Sequence, residues 1–555
     1  MEFAQRLGAI STEIQEPISV YVNRRGQVIR VGVGTPRQTQ IPPLELPRYG
    51  EERLSGIRCL TTSPQGEPPK ESSLTAMVLQ RLDALIVLAL TGEGFERRGG
   101  GATGYIKEVY LANLLPQTEV NKDRLEAYPT KQINSGTGIL PVLENSPSAK
   151  TASYWQVSTA LNLEHLSEED FLEFVESLEA EFRREFVARQ VEADQDRVLL
   201  VGLQTDSLSD QVFEDGLAEL MRLVDTAGGQ VLEIVRQKRS RPHPQTVIGS
   251  GKVEEIALRV QTMGANLVAF DRDLSPSQIR NLERQIGVRV IDRTEVILDI
   301  FAQRAQSKAG KLQVELAQLE YMMPRLTGRG QAMSRLGGGI GTRGPGETKL
   351  ETERRAIQKR IAKLQQDVNQ LQSHRSRLRQ QRQKQEVPSI AIIGYTNAGK
   401  STLINALTKS DIYAADQLFA TLDPTTRKLK IIDAQTQSSQ LLLLTDTVGF
   451  IHELPSSLVD AFRATLEEVT EADALLQVVD LSHPAWQRQL ESVANILEQM
   501  PITTGPMLIA FNKIDQVENE ALEMAKQNYS QAVFISASQG FGLETLKQRL
   551  MQLVS

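Results

Sequence analysis

The feature that most restricts the fold of this chain is the octapeptide Gly394-Tyr395-Thr396-Asn397-Ala398-Gly399-Lys400-Ser401. It keeps the spacing G-x-x-x-x-G-K-S, follows the apolar run Ile390–Ile393 and precedes Leu403, Ile404 and Leu407 at helical spacing. Strand, glycine-bearing turn and helix in that order make a phosphate cradle. The glycines let backbone N–H groups close around phosphate oxygens at a helix N-terminus. Lys400 then places a point charge between the β- and γ-phosphates, and Ser401 offers a hydroxyl to Mg2+. Such an element belongs to an α/β domain, and strand and helix patterns do alternate after Val387-Pro388, over 387–555.

Three further strand ends narrow the nucleotide. Leu441–Leu444 leads to Asp446-Thr447-Val448-Gly449, where Asp446 can hold a Mg2+ water and the Gly449 N–H can meet a γ-phosphate. Met507–Phe511 leads into Asn512-Lys513-Ile514-Asp515. A carboxylate at Asp515 accepts two hydrogen bonds, from guanine N1–H and from its exocyclic amine. Adenine has an acceptor at N1 and lacks that amine, so ATP is rejected here. Lys513 can cover the base plane, and Phe534-Ile535-Ser536-Ala537-Ser538 supplies a backbone contact to the base carbonyl. Four motifs in order, each at a strand end, specify GTP and GDP as ligands.

Between the first two motifs lies Phe419-Ala420-Thr421-Leu422-Asp423-Pro424-Thr425-Thr426-Arg427. A switch loop here must bring a Thr to Mg2+, and spacing alone leaves Thr421, Thr425 and Thr426 open. After Gly449, the position that often carries a water-orienting Gln is Phe450. Hydrolysis by the free protein is therefore expected to be slow, until a partner or a nearby group such as His452 or Glu453 completes the site.

The chain has 555 residues, enough for several domains at roughly 150 residues each. The boundaries read as an extension with a trailing linker (1–155), a connecting helix (156–196), a small parallel α/β domain (197–295), a helical arm (296–386) and the phosphate-cradle domain (387–555). The extension is mixed α+β: Ser19–Val22 and Val28–Val33 flank a turn, and Leu74–Leu90 reads as a helix running into a buried strand. Gln117–Ser153 reads as a long loop. The connecting helix carries Phe171, Phe174, Leu178, Phe182 and Phe186 at helical spacing, with Ser167 and Asp170 resembling its cap.

The arm is the most unusual part. Leu312, Leu316, Leu319, Met323 and Leu326 are spaced 4-3-4-3, and Ile357, Ile361, Leu364, Val368 and Leu371 continue the register. Two helices packed as an antiparallel hairpin are expected. Their connection, Gly328–Gly346, holds eight glycines with Arg329, Arg335 and Arg343 interleaved. The stretch Arg304–Glu386 carries a net charge of +11 in a chain of −7. A basic arm with a glycine loop suits RNA, since Arg meets phosphate and Gly lets the backbone approach closely; the alternative is a linker with a solvated face. Aromatic residues are only 5%, which argues against stacking platforms for single strands.

Cys59 is the single cysteine, so intrachain disulfides and zinc clusters are excluded and a reducing, cytoplasmic compartment is expected. Met1–Ile10 lacks the pattern of a signal peptide, and the longest apolar run, Ala84–Leu90, is far too short to span a membrane. Peripheral membrane contact stays open, and a monomer is expected.

Phe419–Arg427, Asp446–Leu454 and Gly337-Gly338-Gly339-Ile340-Gly341-Thr342-Arg343-Gly344-Pro345-Gly346-Glu347-Thr348 resemble the HflX family, in the Obg–HflX branch of P-loop GTPases. Gln313–Leu319 and Leu326-Thr327-Gly328 match as well, so the resemblance covers roughly 197–555. It implies a guanine-nucleotide hydrolase that binds the large ribosomal subunit and its RNA, with no DNA expected. The GTP state would separate or rescue stalled and hibernating ribosomes under stress. The resemblance also selects Thr421 as the Mg2+ ligand beside Ser401, completing a catalytic set with Lys400 and Gly449. It puts Phe419, Ala420, Leu422 and Asp423 around the nucleotide, and the glycine segment in the part that enters the ribosome's catalytic region. Some relatives are described as also using ATP through the front half to remodel RNA. Gly249-Ser250-Gly251-Lys252 is the position where such a second site would lie, although it lacks the full phosphate-loop spacing and reads equally as a helix N-terminus.

Overall fold

The computed structural model describes residues 1–41, 54–91, 105–115, 155–168, 170–192, 195–326, 354–371, 387–408, 418–419, 425–432, 439–450, 469–498 and 505–554, with short pieces at 95–96, 102–103 and 373. The elements follow the sequence periods closely. In the extension, α1 (Glu2–Ile14) precedes the hairpin β1 (Ile18–Asn23) and β2 (Val28–Val33). Then come β3 (Ile57–Ser63), α2 (Glu71–Gln80), β4 (Ala84–Leu90), a ribbon of β5 (Phe95–Glu96) and β6 (Ala102–Thr103), β7 (Ile106–Leu114) and β8 (Trp155–Val157). One mixed sheet runs β2-β1-β3-β4-β7-β8. The apolar run of β4 is buried along its whole length, because helices cover both sheet faces.

The connecting helix turns out to belong to this unit. After a short α3 (Leu163–Glu168), α4 (Phe171–Glu192) buries Val175, Leu178 and Phe182 in the same apolar cluster as Tyr21, Met77 and Val87. Its cap is Asp170, which accepts from the backbone N–H of Leu172 and Glu173. Ser167 plays no capping part: it lies inside α3 and its hydroxyl donates to the Glu164 carbonyl. A carboxylate directly before the first turn is the better placed acceptor.

The small domain is β9 (Arg197–Gln204), α5 (Asp210–Thr226), β10 (Gln230–Lys238), α6 (Ser250–Met263), β11 (Leu267–Phe270), α7 (Pro276–Ile286), β12 (Arg289–Asp292) and α8 (Arg293–Arg304). Its four strands are parallel in the order β10-β9-β11-β12. Ser275 and Gln278 form a capping box at α7, with proline at the start of the helix.

Next, α9 (Lys308–Leu326) and α10 (354–371) share a seam in which Leu316, Ile361, Leu364 and Val368 are buried, with Leu312, Leu319, Met323 and Ile357 beside them. Arg360 forks onto Glu315 through two 2.7 Å bonds, and Gln365 reaches Glu320 at 2.9 Å. The other face of α9 places Val314, Ala317 and Tyr321 in the small domain's core. Arg329, Arg335 and Arg343, with the whole glycine segment 328–346, lie outside the described residues.

The last domain holds β13 (Ser389–Gly394), α11 (Lys400–Thr408), β14 (Thr425–Ile432), β15 (Ser439–Asp446), β16 (Ala474–Asp480), α12 (Trp486–Glu498), β17 (Met507–Asn512), α13 (Asn519–Asn528), β18 (Val533–Phe534) and α14 (Leu543–Leu553). Strands run β14-β15-β13-β16-β17-β18, all parallel except the antiparallel edge strand β14. One continuous apolar cluster joins this domain to the small one. At its centre the Phe419 ring meets Phe301 of α8 edge-on, 4.9 Å between centroids. Among the described residues, no helix is long and apolar enough to cross a membrane.

Candidate functional site

The carboxyl ends of parallel strands collect loops on one side of a sheet, and here the site assembles there. Gly394 ends β13, Asp446 ends β15 and Asn512 ends β17, so chain segments far apart in sequence meet. Close approach dictates the glycines. Gly394 has φ 151°, and a Cβ there would lie 2.2 Å from the Val478 carbonyl oxygen. Gly399 has φ 89°, and its Cβ would fall 2.3 Å from Asn512 Nδ2. Both the backbone angle and the lack of space exclude other residues.

The loop is tied on both sides. Thr396 N–H donates to the Phe450 carbonyl at 2.8 Å, and Phe450 N–H donates to Gly394 at 3.0 Å. Asn512 Nδ2 donates to the Ala398 carbonyl, and Asn512 Oδ1 accepts from Ala537 N–H, both at 2.9 Å. A single asparagine thus fixes the phosphate loop against the Ser536-Ala537-Ser538 turn. Thr447 Oγ1 donates to the Ile392 carbonyl at 2.6 Å, while Val448 packs in the shared core.

Lys400 opens α11 and is buried. Its ammonium donates to the carbonyls of Tyr395 (2.9 Å) and Gly394 (3.2 Å). Burial pushes its pKa down to about 8, and Asp446 pulls the other way. Ser401 Oγ donates to Asp446 Oδ2 at 2.6 Å. Two hard oxygen donors thus stand together next to the lysine, the chemistry Mg2+ prefers. Gly449 lies on the loop, where an added Cβ would come within 2.8 Å of Thr396 Cα and 3.0 Å of Lys400 Nζ.

Just after β17, Lys513 adopts φ 63° and its ammonium binds Asp480 at 2.6 Å. Asp515 is exposed in the short 3-10 turn after it. Asp480, which sequence reasoning passed over, ends β16 after an apolar run and so carries the same strand-end signature as Asp446. Phe419 is described and buried; Ala420, Thr421, Leu422 and Asp423, like His452 and Glu453, lie outside the described residues. Phe450 is buried in the core, so its ring faces apolar neighbours and offers nothing to a water.

At Gly249-Ser250-Gly251-Lys252 the groups are engaged within the fold. Gly249 N–H donates to Gln237 Oε1 at 2.9 Å, and Lys252 pairs with Glu255 at 2.7 Å.

Residues 214–302 match a family described as the N-terminal part of a GTP-binding GTPase, 304–382 its middle region, and 389–513 a 50S ribosome-binding GTPase family. GTPase HflX of Alkalihalophilus pseudofirmus is 50% identical over 323 residues, covering 58% of this chain and 75% of that one. GTPase HflX of Escherichia coli is 46% identical over 348 residues, covering 62% and 80%. The chain belongs to the HflX family of GTPases. It is a GTP-binding protein that hydrolyses GTP. A crystal structure of a GTP-binding protein from Sulfolobus solfataricus in complex with GDP aligns over 65% of this HflX chain and 99% of its own, at 25% identity and a TM-score of 0.34.

Proposed function

We propose that this HflX protein is a GTP-driven switch that binds the large ribosomal subunit and separates stalled or hibernating ribosomes under stress. The observation that carries the reading is the match of 389–513 to a family described as 50S ribosome-binding. The basic charge of Arg304–Glu386 supports it, since RNA phosphate is the partner such a segment suits.

In this reading the N–H groups of Gly394–Ser401 cradle the phosphates. Lys400 moves its ammonium from the loop carbonyls to the β- and γ-phosphates. Ser401 and Thr421 would hold Mg2+, with Asp446 acting through water, and the ion would offset the charge of the phosphates. The Gly449 N–H meets the γ-phosphate, and its contact with Thr396 and Lys400 leaves no room for a side chain. Asp515 pairs with guanine while Lys513 leaves Asp480 to cover the base. Arg329, Arg335 and Arg343 contact RNA. Because Phe450 supplies no polar group, the ribosome completes the site.

The test is GTP turnover with and without purified large subunits, with Lys400→Ala as control. Strong stimulation, absent in the control, is the expected result. Equal turnover with and without subunits sinks the ribosomal reading and leaves the GTPase intact. Replacing Arg329, Arg335 and Arg343 by Ala should weaken cosedimentation with the subunit and flatten its salt dependence, with GTP affinity unchanged.

A further inference from the structure

We propose that Arg222, on α5 of the small domain, is an arginine supplied in cis to the γ-phosphate. This rests on reading Gly394–Ser401 as the GTP site. A cavity of about 140 Å3 lies between α5 and the outer rim of that loop. Tyr395, Thr396 and Asn397 line one wall; Asp215, Glu219 and Arg222 line the other. Spacings of four and three put these α5 residues on one helix face.

Two contacts hold that face against the GTPase domain. Tyr395 Oη donates to Glu219 Oε2 at 2.8 Å, and Arg488 pairs with Asp215. The loop that wraps phosphate is therefore bonded directly to the small domain, and Arg222 lies one turn beyond the bond. The charges around the cavity are otherwise spoken for. Asp215 has Arg488, Glu219 has Arg293 at 3.1 Å, and Asp480 has Lys513. Arg222 is exposed and its guanidinium has no hydrogen bond or ion pair among the described residues. A permanently charged group, beside His483 in the lining and without a hydrogen bond or ion pair among the described residues, thus lines a cavity at the loop where a polyanion arrives, on a chain whose Phe450 gives the attacking water no help.

Arg222 acts by charge and takes no proton. The water oxygen bonds to the γ-phosphorus, and the bond to the β,γ-bridging oxygen breaks with its electron pair left on GDP. The water's protons leave with inorganic phosphate and to solvent. The guanidinium donates hydrogen bonds to oxygens that gain charge on the way.

Single-turnover hydrolysis with protein in excess tests this, alongside GTP and GDP affinities. Arg222→Ala should lower the rate constant by about tenfold or more while both affinities stay within about twofold, and Arg222→Lys should recover part of the loss. Glu219→Gln, which loosens the hold on Tyr395, should lower the rate less. An unchanged rate in Arg222→Ala overturns the proposal, as does a parallel loss of GTP and GDP affinity with the saturated rate intact. Failure of the underlying reading looks different: Lys400→Ala would then still bind nucleotide.

Discussion

At the scale of single residues, Lys400 makes nucleotide binding sensitive to pH. Its pKa is pushed down to about 8 by burial, and a bound polyphosphate raises it again. Below that pH the ammonium is already charged and binding moves no proton. Above it, binding takes up a proton, so GTP affinity should fall with rising pH, by at most tenfold per unit. Calorimetry in buffers of different ionisation enthalpy checks this; a pH-independent affinity up to pH 9.5 would refute it. Asp515→Asn should lower affinity for guanine nucleotides and favour xanthine ones, because an amide can donate to a ring carbonyl. Retained guanine preference in a competition assay would remove Asp515 from the base site. Gly449→Ala should cut GTP turnover, since the new Cβ meets Thr396 backbone at 2.8 Å. Wild-type turnover in that variant would mean that the loop gives way freely.

At the scale of elements, the α9–α10 seam rests on few side chains. Leu364 is fully buried in it, and truncating a buried leucine costs about 2–5 kcal/mol. Leu364→Ala should therefore speed hydrogen exchange over 354–371 and leave GTP affinity unchanged. Unaltered exchange would show that α10 is held elsewhere. The 4-3 spacing made both helices legible in the sequence, and apolar runs did the same for β4, β13 and β17. The role of α4 was hidden. Its aromatic stripe announces a buried face, but periodicity cannot name the surface that covers it, and that surface, with Tyr21 and Met77, comes from elements some hundred residues earlier.

At the scale of the molecule, the GTPase and small domains share one apolar core. The Phe301–Phe419 contact fastens the start of the switch loop to α8. Phe301→Ala should remove about 3–5 kcal/mol of packing at this junction and uncouple the two units. Calorimetric unfolding should then separate into more transitions than wild type shows, and a single shifted transition would contradict the shared core. The same junction carries the Tyr395–Glu219 bond, which links the phosphate loop to a helix ending 168 residues before Gly394.

The guanine-nucleotide class and the elements that carry its motifs were legible from the sequence because they depend on local order. Glycines, Lys400 and the strand-end motifs must stand at fixed offsets along the chain for backbone amides and strand ends to converge. The helices α9 and α10 were legible for the same reason. Contacts between surfaces obey no such offset. Asp480 beneath Lys513, Glu219 on Tyr395 and Phe301 on Phe419 are set by how completed elements pack, and burial of one face against another leaves no spacing in either sequence to announce it. Only the tertiary structure decided that the small domain grips the Gly394–Ser401 loop.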